Sequence, residues 1–531
     1  MKKSCCAFAL IVWWAAGLAA AGVEVATVKH IIPAPAPYDQ PAGAVTPDGT
    51  FNVRDPASPF HSNLLAEAMH LDGEGRDRSG NFLNLNRAIY TSYRAAHDDS
   101  PLRSVLILMP GTWAGAMSMD QAARDLVRMA SRHRVGGFAV WLIDRRSEQL
   151  EDHTGLWWAN NHLGKLDLDL LLQGVSDYYR PAFEPGTRSL PLMDRRFVPL
   201  DHDAVRFMAN FGADTTIRDW RAVVLEAHRQ VGNEVVEAEG GEPRVIKKAG
   251  RHVFIGGHSL GGSLTVLYAA YDFDRRPGHE LLGKDDVDGL VLFEGGRFPM
   301  KKPKTISADS YRRSLNKLFT DGKVYFDMDV LGIRYAPSTM LSLAISGWAA
   351  DNARGRESVF PMSSRPRSLR YPRLTNEAQL GFAIDDDISP FFIARASIGH
   401  PDGELGKQLR LKIATLPRDP NDCPLITGWR PGGRRPMDPD HVYGWRNIDE
   451  GPHPAASSPW FPRCAKNERE NPEVTEFYAF AAPSTTDRPN TRRPRSCRGD
   501  RTTLPSGSSR PGFRPTPATW APGLWKMTGP S

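Results

Sequence analysis

The stretch that most restricts how this chain can fold runs Val253-Phe254-Ile255-Gly256-Gly257-His258-Ser259-Leu260-Gly261-Gly262-Ser263-Leu264-Thr265-Val266-Leu267-Tyr268-Ala269-Ala270. A short apolar run, a glycine-flanked serine and a helix-forming segment follow one another without a spacer, which predicts strand, sharp turn and helix. Within it Gly257-His258-Ser259-Leu260-Gly261 fits G-x-S-x-G. A serine at the apex of a strained turn leaves no room for side chains two residues before and after it, so each glycine has a steric reason. Ser259 Oγ then stands above the sheet edge, and the Leu260 N–H at the helix start is placed to receive an oxyanion. Gly262 allows close helix packing.

The surrounding chain repeats the strand and helix alternation. Arg103 to Met109 (RSVLILM) is apolar and ends at Pro110-Gly111-Thr112-Trp113. Phe138 to Ile143 (FAVWLI) precedes Asp144-Arg145-Arg146, and Gly289 to Phe293 (GLVLF) ends at Glu294. Thr216 to Val231 is amphipathic at helical spacing, with Trp220, Val223, Val224 and Ala227 on one face. Apolar runs separated by helical segments predict an α/β fold: a mostly parallel sheet with helices on both faces. Phe82 to Ala95 alternates apolar and polar residues, which predicts an antiparallel strand at the sheet's start.

The elbow and these segments, taken in order, resemble the α/β-hydrolase superfamily, specifically its esterase and lipase-like serine hydrolases. The resemblance implies Ser259 as nucleophile and the Leu260 and Thr112 backbone N–H groups as oxyanion donors, with Trp113 as the fallback. Pro110 stands where many members have histidine. The implied chemistry is hydrolysis of a small-molecule or lipid-like carboxylic ester through an acyl-enzyme, with no cofactor.

Lys2-Lys3, the apolar run Ala7 to Leu18 and the small residues Ala19 to Gly22 have the layout of a secretory signal peptide, with cleavage expected near Ala21. The protein is then secreted or periplasmic. An uncleaved anchored form is the alternative, although the run is shorter than the ~20 residues a bilayer span needs. Cys5 and Cys6 leave with the signal, without a lipoprotein context. Of the remaining cysteines, Cys423 and Cys464 are candidates for a bridge and Cys497 stands apart. No metal signature appears: His153 and His162, and Asp385 to Asp387, read as polar loop and acidic turn.

Residues 22–59, rich in proline and alanine, read as an extended arm, and residues 60–480 as the catalytic domain. Insertions at about 145–215 and 297–399 are candidates for a cap over Ser259, their tryptophans and tyrosines either lining a site or packing the cap itself. The net charge of +6 resides in the tail: Ser484 to Ser531 carries +7 and the rest −1, so no nucleic-acid surface is inferred for the domain.

That tail poses the difficulty. In this family the histidine follows the nucleophile, usually near the C-terminus, yet no histidine occurs after His453, and residues 481–531, rich in arginine, proline, serine, threonine and glycine and without an apolar run, read as a disordered tail. Two accounts stand. The tail is an out-of-frame reading of GC-rich sequence, or the histidine lies earlier. Among His279, His400, His441 and His453, His441 is preferred because it comes late and has Asp438 and Asp440 nearby. Glu294, at a strand's carboxyl end, is the preferred acid, with Asp438 and Asp440 as alternatives. Two further readings remain open: a catalytically impaired hydrolase fold acting as a binding module, and an acyltransferase.

Overall fold

The computed structural model describes residues 23–37, 45–111, 115–295 except 185, 189–190, 193–194, 238–240, 275 and 277, and 308–356 except 326–327, 331–332, 336 and 354, together with 358, 375–376, 400–401 and 429–430. All lie in the first of two units, Met1–Pro483; the second, Ser484–Ser531, falls outside the described residues.

Among the described residues the strands, in chain order, are β1 (Val25–Pro33), β2 (Arg87–Ala95), β3 (Ser104–Met109), β4 (Phe138–Asp144), β5 (Glu234–Val236), β6 (Arg244–Ile246), β7 (His252–Ser259), β8 (Gly289–Gly295), β9 (Met328–Val330), β10 (Ile333–Tyr335), β11 (His400–Pro401) and β12 (Trp429–Arg430). The helices are α1 (Asn63–Ala68), α2 (Asp120–Arg132), α3 (Thr154–His162), α4 (Leu168–Phe183), α5 (Ala213–Val231), α6 (Leu260–Ala270), α7 (Gly283–Asp286), α8 (Ala308–Asp321) and α9 (Pro337–Asn352). Six strands form one sheet in the order β1-β2-β4-β3-β7-β8, and β5 with β6 forms a separate hairpin. The junctions β1–β2 and β2–β4 are antiparallel; β4–β3, β3–β7 and β7–β8 are parallel. This is the α/β arrangement, mostly parallel and covered by helices, that the apolar runs predict.

The parallel strands are apolar throughout because both faces are covered. Val105, Ile107 and Met109 of β3 face the same core as Trp141, Ile143 and the α5 residues Trp220, Val223 and Val224. Leu106 and Leu108 face the other way, joining Val140, Leu142 and the α2 residues Ala123 and Val127. Trp220, Val223, Val224 and Ala227 are all fully buried, so the amphipathic stripe of α5 is the face that meets the sheet. Val223 and Val224 each contribute about 1.5–3 kcal/mol on burial. Gly232, in the left-handed conformation (φ 87°), ends α5.

Two expectations are corrected. Part of the predicted arm, Val25–Pro33, is the edge strand of the sheet, in register with β2 from Val25↔Ala95 to Pro33↔Arg87. Its valine, threonine and isoleucine residues favour extended pairing, and Pro33 is tolerated because it stands at the end of an edge strand. The strand predicted from Phe82 begins only at Arg87, and Phe82 itself makes an isolated bridge with Arg76.

The two insertions share a small core of their own. Ala159, Leu171, Leu172, Val175, Tyr178 and Tyr179 of α3 and α4 pack with Leu341, Ile345 and Trp348 of α9. Trp348 Nε1 donates to Asn160 Oδ1 at 2.7 Å. Tyr178, Tyr179 and Trp348 therefore pack the insertions against each other, whereas Trp157 is exposed.

Candidate active site

Ser259 is the last residue of β7 and the N-cap of α6, with φ 52° and ψ −112°. A non-glycine residue held there costs on the order of 1–3 kcal/mol, so the surroundings must enforce it. The glycines show how. A Cβ on Gly257 would lie 2.4 Å from the Gly261 carbonyl carbon and 2.7 Å from Met109 O, and one on Gly261 would lie 2.0 Å from Met109 O. A Cβ on Gly256 would lie 2.3 Å from Val291 O. Three main-chain segments, from β3, β7 and the start of α6, meet with no room for a methyl group. The register of β7 against β8 slips between His258 and Ser259, where β8 carries one extra residue, so Ser259 pairs with Gly295 at the carboxyl edge of the sheet.

Gly111, two residues after β3, lies next to this serine. A Cβ on Gly111 would sit 3.2 Å from His258 Nδ1 and 3.4 Å from Ser259 Cβ. Leu260 is the first residue of α6, where a backbone N–H has no acceptor within its own helix. Ser259 and Leu260 thus form the junction between β7 and α6. Thr112 and Trp113 lie outside the described residues.

Behind the turn sits a cluster that the sequence reading passed over. Asp144 and Arg145, at the end of β4, are buried, as are Ser147 and Glu148. Asp144 Oδ1 accepts the Ala116 N–H at 2.6 Å. Arg145 Nη1 donates to Gly111 O at 3.5 Å, and its Nη2 pairs with Glu148 Oε1 at 3.5 Å. Burial, and then neighbouring Glu151, push the Glu148 carboxyl well above the usual carboxylate range. Glu151 in turn pairs with His153 Nε2 at 2.9 Å. The visible signal is the run Asp144-Arg145-Arg146-Ser147-Glu148-Gln149-Leu150-Glu151-Asp152-His153, dense in charge directly after a buried strand.

The remaining candidates fall apart by position. Glu294 belongs to β8, at the irregular step between the pairs His258↔Phe293 and Ser259↔Gly295, one residue before the strand ends; its side chain is outside the described residues. His279 is exposed in the turn after α6. His400, expected in a loop, lies instead in a two-residue strand paired with Trp429–Arg430, because its extended backbone finds a partner there. His441, His453, Asp438, Asp440, Asp385 to Asp387, Cys423, Cys464 and Cys497 lie outside the described residues. His162 Nδ1 bonds the Trp158 carbonyl at 2.7 Å. Among the described residues no helix is long and apolar enough to cross a membrane.

A cavity of about 640 Å³, lined by Val23, Glu24, His97, Arg134 and Phe138, opens where β4 begins. Parallel α/β sheets bind ligands at the opposite, carboxyl edge, where Ser259 stands, so this cavity is separate from the candidate site.

No protein-family profile and no curated relative matches the chain. Solved structures do align. Brefeldin A esterase, a bacterial homologue of human hormone sensitive lipase, matches at 13% identity and TM-score 0.20, over 51% of this chain and 40% of that one. The peroxisomal α/β-hydrolase Lpx1 from Saccharomyces cerevisiae matches at 13% identity and TM-score 0.20, over 52% and 46%. Esterase Est22 matches at 14% identity and TM-score 0.18, over 43% and 45%. The chain spans about half the length of these structures or less. The α/β fold and the tight turn at Ser259 stand on the geometry of this chain.

Proposed function

We propose that this protein is an exported serine hydrolase that cleaves carboxylic esters through an acyl-enzyme on Ser259. The observation that carries the reading is the left-handed backbone of Ser259 between β7 and α6, walled by glycines that admit no Cβ. Backbone strain of this kind clusters at active sites. In the reaction a histidine removes the Ser259 proton as Oγ attacks the ester carbonyl, the Leu260 N–H and one from the turn after β3 receive the oxyanion, and the alcohol departs with a proton. Water then adds to the acyl-enzyme and frees the acid. His441 and Glu294 stay the preferred base and acid.

The test is intact-mass labelling of the purified full chain with a fluorophosphonate, alongside Ser259→Ala. A single adduct that disappears in the variant supports the reading. A folded protein that takes no adduct favours the impaired binding module. Ester formation on addition of an alcohol, in place of free acid, identifies the acyltransferase.

A further inference from the structure

The segment between β1 and β2 builds a cleft of about 650 Å³ whose walls include Arg54, Glu67, His70, Arg76 and Arg78. None of its lining residues belongs to the turn at Ser259 or to the charged cluster behind it. His70 follows α1 where the chain turns left-handed (φ 54°): its N–H returns to Glu67 O at 3.0 Å, and the Leu71 N–H to Ala66 O at 2.9 Å. Glycine is the usual residue there, because a Cβ disfavours that backbone. Leu71 is buried, which pins the turn and with it the imidazole. His70 Nε2 is buried and has no hydrogen-bond partner among the described residues. The same holds for Arg54 Nε, although that guanidinium is fixed by Nη2 donating to Leu71 O at 2.8 Å. Buried polar atoms are bonded in the great majority of cases, so two orphans on one cleft point to a ligand that supplies acceptors.

The loop that follows repeats one device. Asp72 Oδ1 accepts the Glu74 and Arg76 N–H groups, and Asp77 Oδ1 those of Ser79 and Asn81, all at 2.9 Å. Each aspartate is thereby committed to its own turn. Arg76 is steadied by Nη1 donating to Gly80 O at 2.8 Å, by Glu74 at 3.6 Å and by the Phe82 ring 4.2 Å away. Arg78 is exposed and makes no hydrogen bond or ion pair among the described residues, and its charge acts on His70.

We propose that this cleft binds a phosphate-bearing small molecule, with Arg54, His70 and Arg78 donating to the phosphate oxygens. These donors outnumber Glu67, the one lining carboxylate that the turns leave uncommitted, so a compact dianion suits the cleft better than a monocarboxylate. The volume leaves room for the remainder of a phosphomonoester. The site is independent of the chemistry at Ser259. Burial, then Arg195 and Arg78, lower the His70 pKa against the opposing pull of Asp152 and Glu67. A bound dianion raises it again, so binding takes up a proton and tightens as the pH falls.

The experiment is calorimetric titration of the full-length chain with phenyl phosphate, sulfate and acetate at matched ionic strength. Sulfate keeps both charges across the pH range, so its pH dependence reports the protein. The variants are Arg78→Gln, His70→Asn, whose asparagine tolerates the left-handed backbone, and Arg132→Gln on α2 as a charge-matched control. Phenyl phosphate should fill a single saturable site, at least about tenfold more weakly in Arg78→Gln and unchanged in Arg132→Gln. Sulfate should bind more tightly from about pH 7.5 to 5.5, by at most about tenfold per pH unit, and His70→Asn should remove that dependence. The proposal is overturned if neither dianion saturates, if Arg78→Gln and Arg132→Gln bind alike, or if sulfate binding to wild type and His70→Asn follows pH identically. Acetate bound as tightly as phenyl phosphate overturns the phosphate assignment.

Discussion

Gly261→Ala isolates what the elbow requires. Gly261 is the second residue of α6, where alanine is intrinsically favoured over glycine by about 1 kcal/mol. The new Cβ would, however, lie 2.0 Å from Met109 O and 2.7 Å from Pro110 O. Real Cβ atoms essentially never approach closer than 3.0 Å, so α6 and β3 must part by about 1 Å. Both obstacles are main chain, so no rotamer change relieves the clash. Overpacking of this kind costs roughly 1–3 kcal/mol and more when backbone must move, leaving a net loss of about 2 kcal/mol after the helix gain. At about 2.1 cal/mol/K per residue over a domain of several hundred residues, that is a drop of roughly 2–3 °C in Tm. The same 1 Å separates Gly111 from Ser259, and a misplacement of that size costs about 10²-fold in rate. Gly73→Ala is the control, because its Cβ would meet nothing within 4 Å and its φ is not left-handed. Thermal unfolding and the fluorophosphonate labelling rate of the two variants, measured side by side, decide the matter. If Gly261→Ala melts and labels like Gly73→Ala, the three main-chain segments are not as close as described and the steric account of the elbow is refuted.

Two further outcomes follow from buried charge. Arg146 donates from Nε to Asp219 Oδ2 at 3.0 Å, from Nη2 to Asp219 Oδ1, from Nη1 to Asn86 Oδ1 at 2.6 Å and from Nη2 to Pro35 O at 3.0 Å, tying α5 to both ends of the segment that precedes β2. Asp219→Ala should cost about 3–5 kcal/mol in urea unfolding, and adding Arg146→Met should recover much of it; strict additivity in that cycle would refute the pairing. His228, fully buried, donates from Nε2 to the Asp286 carbonyl at 2.6 Å and accepts at Nδ1 from Asn233 Nδ2 at 2.8 Å, while Asn233 Oδ1 takes the Lys248 N–H at 2.8 Å. That chain fixes a neutral imidazole, and burial lowers its pKa. With the folded pKa below the unfolded one, the unfolded state binds the extra proton, so this group's contribution is intact above about pH 6.5 and is lost as the pH falls below it. The stability advantage of wild type over His228→Gln should therefore shrink between pH 7.5 and 5.5, by at most about 1.4 kcal/mol per pH unit, and a constant difference would contradict a buried neutral imidazole with a lowered pKa.

These residues also mark where sequence reasoning stops. The elbow is legible because its cause is local: Gly257, Ser259 and Gly261 are two apart, and the clash that forbids a Cβ arises within that span and with the adjacent strand. The α5 stripe is legible because a helix repeats its inward face every 3.6 residues, and Trp220, Val223, Val224 and Ala227 advertise it. Strand β1 was hidden because pairing is a property of two segments: Val25–Pro33 gains its identity from Ile89 and Tyr93, some sixty residues on, while the alternating prolines after it pull the reading towards an arm.

Charged side chains carry no such periodic mark. Arg145 and Arg146 are neighbours of the same type, yet one reaches Gly111 beside the candidate nucleophile and the other, the first residue of the 3-10 helix Arg146–Leu150, reaches Asp219 on α5. The same reasoning applies to a catalytic triad, whose base and acid are recognised by geometry and not by spacing. A pentapeptide can therefore announce a nucleophile, whereas the base must be found by what it touches. That makes the response of Ser259 to a fluorophosphonate more informative than any further inspection of His441, because the probe reports the presence of an activating base without requiring that its position in the chain be known.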